Sequence, residues 1–224
     1  MHFNLAIVLA ANIISETILR NWSSLLWIKN QIRIPGGMEM DNTNKIEIIR
    51  ECIDKKMQIS IEREEIDDES LSTIPIAVSD QLLIVEYLYD FNFDGFKVLC
   101  MNDISKIKRG KVEEFHDKIL ISEGLIVKEE LMSDIKTNTW FDFFESMLDK
   151  RKMIDISLER VNKGRTFFVG KIVSVKKEYL EILEVDIVGN WYKDVTQIFY
   201  ENITLVSFAN RYCEILNKYC SQAL

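Results

Sequence analysis

Apolar and polar residues alternate along two short stretches, KKMQISIER from Lys55 and KRKMIDISLER from Lys150, and the two are nearly the same phrase. A period of two marks a strand with one face buried. In the first stretch Met57, Ile59 and Ile61 share a face against Gln58, Ser60 and Glu62; in the second, Ile154, Ile156 and Leu158 do the same. A segment of helical period precedes each strand. NTNKIEIIRECIDKK sets Ile46, Ile49 and Ile53 on one side with Asn42 or Thr43 as cap, and NTWFDFFESMLDKRK sets Trp140, Phe144, Met147 and Leu148 together with Thr139 as cap.

The parallel continues downstream. LSTIPIAVSDQ answers to RTFFVGKIVSVKKE, LLIVEYLYDFNFDG to YLEILEVDIVGN, and FKVLCMNDISKIKR to DVTQIFYENITLVSF. Ile59 and Ile156 lie 97 residues apart and Ile104 and Ile203 lie 99 apart, so the two series differ by a short insertion. Both series close on a helical pattern, VEEFHDKIL and NRYCEILNKYC, in which Phe115 aligns with Tyr212 and Ile119 with Leu216. The expected organisation is two units, 40–122 and 139–224, joined by a connector over 123–138. Each unit reads as a helix, four or five short antiparallel strands and a second helix. The connector mixes apolar and acidic residues around Gly124 and lacks the Gly, Ser and Pro of a flexible linker, which predicts one rigid body. Phe141, Phe143 and Phe144 crowd the helix before the second unit, as expected of a helix wedged between the two.

Short strands with turn signals such as DFNFDG and GN suit a small, strongly bent barrel whose closure removes exposed edges. This order resembles the Sm-like small β-barrel family, in which an N-terminal helix precedes five bent strands. The resemblance covers most of residues 42–122 and 138–220. It implies an α+β, mainly β fold: two tandem small bent antiparallel β-barrels, each flanked by helices. RNA binders of that family carry Asp-x-Asn after the second strand and a Gly-bearing basic segment near the fourth and fifth. The matching loops here read VSDQL and VKKEY, without Asp-x-Asn. KIKRG, from Lys106 to Gly110, echoes the basic segment, whereas TLVSFAN in the second unit does not.

Composition narrows the functions. The chain of 224 residues is 47% hydrophobic with 8 Gly and 2 Pro, ample for a sizeable core. A net charge of -8 argues against a general phosphate-binding surface, since non-specific nucleic-acid affinity rests on Lys and Arg. Cys52, Cys100, Cys213 and Cys220 form no CxxC pair and no dense disulfide spacing, so reduced, mostly buried thiols in a bacterial cytoplasm are expected. The first 39 residues are apolar up to Glu16, yet lack a basic n-region, and Glu16 and Arg20 interrupt the run short of the ~20 residues of a span. At IPGGMEMD the two glycines can be encoded by a purine-rich, ribosome-binding sequence. Residues 1–39 then lie upstream of a true start at Met40; the alternatives are a genuine amphipathic helix or a membrane anchor.

Signatures of chemistry are few. The two histidines, His2 and His116, stand far from any cysteine nucleophile, and no HExxH, glycine-rich phosphate loop or Gly-x-Ser-x-Gly occurs. No catalytic residue, cofactor or metal is assigned. The acidic run EREEIDDES, Glu62 to Ser70, lacks the spacing of a calcium loop and reads as a solvated loop or a surface for a basic partner. Phe93, Phe96, Trp191 and Tyr192 crowd the turns FNFDGF and VGNWYKD and are candidate partner-binding residues. The first expectation is therefore a non-enzymatic protein that binds another protein. An RNA-binding alternative requires Lys106, Lys108, Arg109 and Lys111 to converge with Lys176 and Lys177 into one basic face. An enzymatic alternative requires a pocket with perturbed carboxylates such as Glu62 or Asp155.

Overall fold

The computed structural model describes residues 34, 41–125, 134–150, 152–160 and 167–220. The expected leader other than Ile34, the start at Met40 and residues 126–133 of the connector lie outside them.

The first helix, α1 (Asn42–Asp54), is capped by Asp41, whose carboxylate accepts the Asn44 N–H at 2.8 Å, one or two residues ahead of the expected cap. Five strands follow: β1 (Ile59–Glu62), β2 (Ser70–Val78), β3 (Leu82–Tyr89), β4 (Asn92–Cys100) and β5 (Lys106–Lys108), with a 3-10 turn at Met101–Asp103 before β5. Then come α2 (Lys111–Ser122) and α3 (Trp140–Leu148), the latter capped by Thr139 as its sequence predicts. The second strand series is β6 (Met153–Ser157), β7 (Phe167–Val175), β8 (Tyr179–Val185), β9 (Trp191–Phe199) and β10 (Leu205–Phe208), with a 3-10 turn at Tyr200–Asn202 before β10. A last helix, α4 (Arg211–Tyr219), starts on Asn210, whose side chain accepts the Cys213 N–H.

All ten strands form one antiparallel sheet in the order β5-β1-β2-β3-β4-β10-β6-β7-β8-β9. The chain is thus mainly β, as expected, but the sheet is open and closure into barrels is not what the pairing shows. A strand has two edges, and β10 spends both, on β4 through Leu205–Leu99 to Phe208–Phe96 and on β6 through Leu205–Ser157 to Phe208–Ile154. Neither β4 nor β9 can then be closed by the strand that ends its own series.

Within this sheet the two series are laid out alike. β5 lies beside β1 as β10 lies beside β6. The β2–β3 ladder shifts register between Pro75 and Ala77 and the β7–β8 ladder between Ile172 and Ser174; the β3–β4 and β8–β9 ladders shift after Glu86 and Leu183. Bulges of this kind sharpen the bend of the strands that carry them.

Two cores result. Ile46, Ile49 and Cys52 of α1 pack on Met57, Ile59 and Ile61, with Leu83, Val85 and Leu99 beneath them. Trp140, Phe143, Phe144 and Met147 of α3 pack on Ile154, Ile156, Leu180, Ile182 and Phe208, and this second core also takes Leu82, Ile84, Phe96 and Val98 from the first series. Strand β3 therefore has both faces covered, which is why Leu82, Leu83, Ile84 and Val85 form an unbroken apolar run, all fully buried. Helix α3 sits between the series as expected, with Glu145 its one exposed residue. Gly95, at φ +71°, is required at the joint: a Cβ there would fall 2.4 Å from the Asn210 nitrogen. Among the described residues no helix is long and apolar enough to cross a membrane.

Candidate functional site

The basic segment is neutralised in place. Lys106 and Lys108 on β5 pair with Glu64 and Glu62. Arg109 is 1% exposed, pairs with Asp117 at 2.9 Å and donates to the Gln58 carbonyl at 2.7 Å. Lys111 is exposed at the start of α2, and Lys176 and Lys177 lie across the sheet at the β7–β8 turn. Three of the four candidates on the first series thus already face a carboxylate, which leaves little net charge for phosphates.

The carboxylates that the enzymatic alternative requires are also committed. Glu62 holds Lys108. Asp155 on β6 is buried beside Asn210, whose amide donates to it at 2.7 Å, and Cys213. Burial pushes its carboxyl above the usual range, against hydrogen bonds from Asn210 and Ser207 that lower it. The acidic run folds back on the protein: Arg63, 2% exposed, pairs with Asp67 and with Glu159 of the second series, so the run closes the joint on this side. Among the described residues no group of three or more His, Cys, Asp or Glu is placed to hold a metal. All four cysteines are free thiols, three buried and Cys100 half-buried.

The aromatic turn residues divide. Phe93 is half-buried against Ile74, Leu88 and Leu120. Phe96 is 1% exposed and stacks on Phe208 with centroids 5.3 Å apart, so it holds the joint and presents no surface. Trp191 packs half-buried against the cluster of Met153, Val169 and Cys213, with the Lys171 ammonium 5.4 Å from its ring centroid. Tyr192, 56% exposed, is the one of the four on the surface.

The geometry brings Tyr192 into a larger feature. It is the second residue of β9, which pairs with β8 alone among the described strands. Tyr200 donates its N–H to the Glu178 carbonyl at 3.1 Å. By alternation Ile198 and Thr196 also bond toward β8, while Val195, Gln197 and Phe199 aim N–H and C=O outward. Their side chains share a row with Tyr179, Glu181 and Leu183, opposite them on β8. Val195 and Phe199 are 43% and 44% exposed. Glu181 accepts from Ser174 at 2.6 Å and from Gln197 at 3.2 Å, bonds that hold its carboxyl below the usual carboxylate range.

The same row exists in the first series, covered. There Leu82, Ile84, Phe96 and Val98 are buried in the second core, and Phe96–Leu99 of β4 receive β10. Sequence reasoning found Tyr192 but missed Tyr179, Val195 and Phe199. The signal was the alternation in VTQIF, whose outward face carries Val195, Gln197 and Phe199. Comparison with known protein families, curated proteins and solved structures finds no match for this chain.

Proposed function

We propose that the chain is a protein-binding module of two tandem Sm-like units, joined in one open sheet, and that it captures a partner by strand addition along β9. The repeated layout supports the tandem reading: the same strand order in each series, register shifts at corresponding places, and a 3-10 turn before the last strand of both. One observation carries the binding role. The β9 edge, with its outward Val195, Gln197 and Phe199, is the counterpart of the β4 edge that β10 fills, and among the described residues it is unfilled. A regular edge of this kind is a template for an extended segment, with main-chain hydrogen bonds giving affinity and side-chain pockets giving choice. Paired basic residues weigh against the RNA reading, and four free thiols fit a reducing, cytoplasmic setting.

The test is capture from cell lysate at two salt concentrations with wild-type chain and Gln197→Pro, assaying both protein and nucleic acid. Proline at 197 removes an outward donor and leaves the β8 ladder intact. A protein retained at high salt by wild type and lost by the variant supports the proposal; RNA recovered at low salt, indifferent to the variant, overturns it.

A further inference from the structure

Resting on that reading, we infer that the β9 seat takes a segment of a different polypeptide, not a second copy of this chain, and that the side chains it lays on the outward row run apolar, basic, aromatic.

The β4–β10 joint supplies the register. Leu205, Val206, Ser207 and Phe208 stand opposite Leu99, Val98, Lys97 and Phe96. Laid on β9 in the same sense, an incoming strand sets its four residues opposite Ile198, Gln197, Thr196 and Val195. Its second and fourth side chains fall on the exposed row, and the residue preceding the four falls there too, opposite Phe199. Cross-strand neighbours then define each place. Phe199 and Tyr179, with ring centroids 5.5 Å apart, make an apolar floor for the residue that precedes the four. Gln197 and the Glu181 carboxylate beside it replace the Val98 and Ile84 of the filled joint, so the second residue meets an anion where Val206 meets aliphatic carbon. Val195 occupies the place of Phe96 with a smaller side chain, leaving room for an aromatic residue like Phe208.

A second copy does not answer this description. Its β5 would be the element corresponding to β10, but in this register β5 lays Ile107 where the row asks for a cation and Arg109, already paired with Asp117, where it has room for an aromatic ring, while the Arg109 carbonyl accepts the Ile34 N–H at 3.2 Å. The helix that would accompany it, α1, exposes Asn42, Thr43, Asn44, Glu47, Arg50, Glu51 and Asp54, all polar, whereas α3 at the filled joint exposes only Glu145. A second β9 laid antiparallel brings another Glu181 carboxylate onto the row in place of a cation. The ends of the sheet are thus unlike, and the chain does not propagate by head-to-tail addition.

Two fluorescein-labelled peptides, Ile-Leu-Leu-Lys-Ser-Phe-Ala and the same sequence with Glu for Lys, are titrated by anisotropy into the full chain, with sedimentation of the chain alone. The chain is expected to sediment as a monomer and to bind the Lys peptide at least tenfold more tightly than the Glu peptide. Glu181→Lys should invert that preference, and both Gln197→Pro and Val195→Asp should weaken binding at least tenfold with native melting retained. Equal binding of the two peptides, with loss in Gln197→Pro, overturns the chemistry assigned to the occupant while leaving strand addition standing. Binding of neither peptide overturns the inference, and binding indifferent to Gln197→Pro overturns strand addition as well. A micromolar dimer abolished by Gln197→Pro shows that a second copy takes the seat, which also overturns it.

Discussion

The ring of Phe208 lies on that of Phe96 with centroids 5.3 Å apart, and its centroid is 6.0 Å from that of Phe143. One side chain on a four-residue strand therefore ties the first strand series to the helix that begins the second. Both cores depend on this joint, because Leu205 of the same strand enters the first core and Val206 the second. Truncating Phe208 to Ala should cost about 3–5 kcal/mol, the range for a buried phenylalanine. Because the cores share β10, urea unfolding should remain a single transition followed equally by tryptophan fluorescence and circular dichroism. Separated transitions would show that the two series fold independently.

Gly95→Ala tests the same joint from the backbone side. The added methyl would meet the Phe208–Asn210 backbone at 2.4–2.6 Å, and the residue's φ of +71° disfavours any side chain. Strain of both kinds should cost upward of about 1–3 kcal/mol. Gly124→Ala is the control: it shares a positive φ, +68°, with nothing within 4 Å, and should cost about 1 kcal/mol or less, read from the same urea midpoints.

The first-series strand pattern was legible because one face of it is buried. Ile59 and Ile61 are fully buried and Ser60 and Glu62 half-buried, as alternation requires, whereas Gln58, expected on the polar face, is buried where its backbone meets Asp117 and Arg109. Strand β6 defeated the same rule: Met153, Asp155 and Ser157 are buried together with Ile154 and Ile156, since β10, β7, α3 and α4 surround it. The open sheet was illegible for a related reason. The pairing of Phe96 with Phe208 joins residues 112 apart in sequence, and no local period announces which edges a short strand such as LVSF will fill. The aromatic turns were found, yet Phe96 proved to be a joint residue; the exposed apolar row lay instead in the alternation of β9.

Arg109 and Asp117 form a buried ion pair, 1% and 3% exposed, that anchors α2 to β1 through the Gln58 backbone. Removing one partner strands the other in a dry site. Asp117→Ala should therefore cost about 3–5 kcal/mol in thermal or urea unfolding. Lys106→Ala, which breaks an exposed pair with Glu64, should leave the urea midpoint essentially unchanged.

Buried thiols make a kinetic prediction. Burial pushes the Cys52 thiol up to about 12, against the lowering field of Arg109, and Cys213 is raised further by burial and by Asp155. Since the thiolate is the reacting species, both should resist iodoacetamide at pH 8 in the native protein and react once it is unfolded in urea. Half-buried Cys100 should be modified first, as peptide mapping by mass spectrometry would show.

Two carboxylates should move stability with pH in opposite directions. Glu113 feels desolvation, which raises its carboxyl, but hydrogen bonds from Ser60 at 2.6 Å and from the Gly110 N–H at 2.7 Å outweigh it and leave the group depressed below 4.5. A depressed folded value contributes stability above pH 4.5 that is lost as pH falls through the folded value. Glu113→Gln should thus lower the unfolding free energy measured by urea titration at pH 7, by about 1 kcal/mol for a weakened helix start, and match wild type once the glutamate is protonated. Asp155 has the reverse sign. Its folded value is raised above 3.8 by burial, so its contribution is fully present below 3.8 and lost as pH rises through the raised value. Asp155→Asn keeps an acceptor for the Asn210 amide and removes the buried charge. Its stability relative to wild type should therefore increase from pH 4 to pH 7; a difference constant across that window would mean that Asp155 titrates in the folded protein as it does in the unfolded chain.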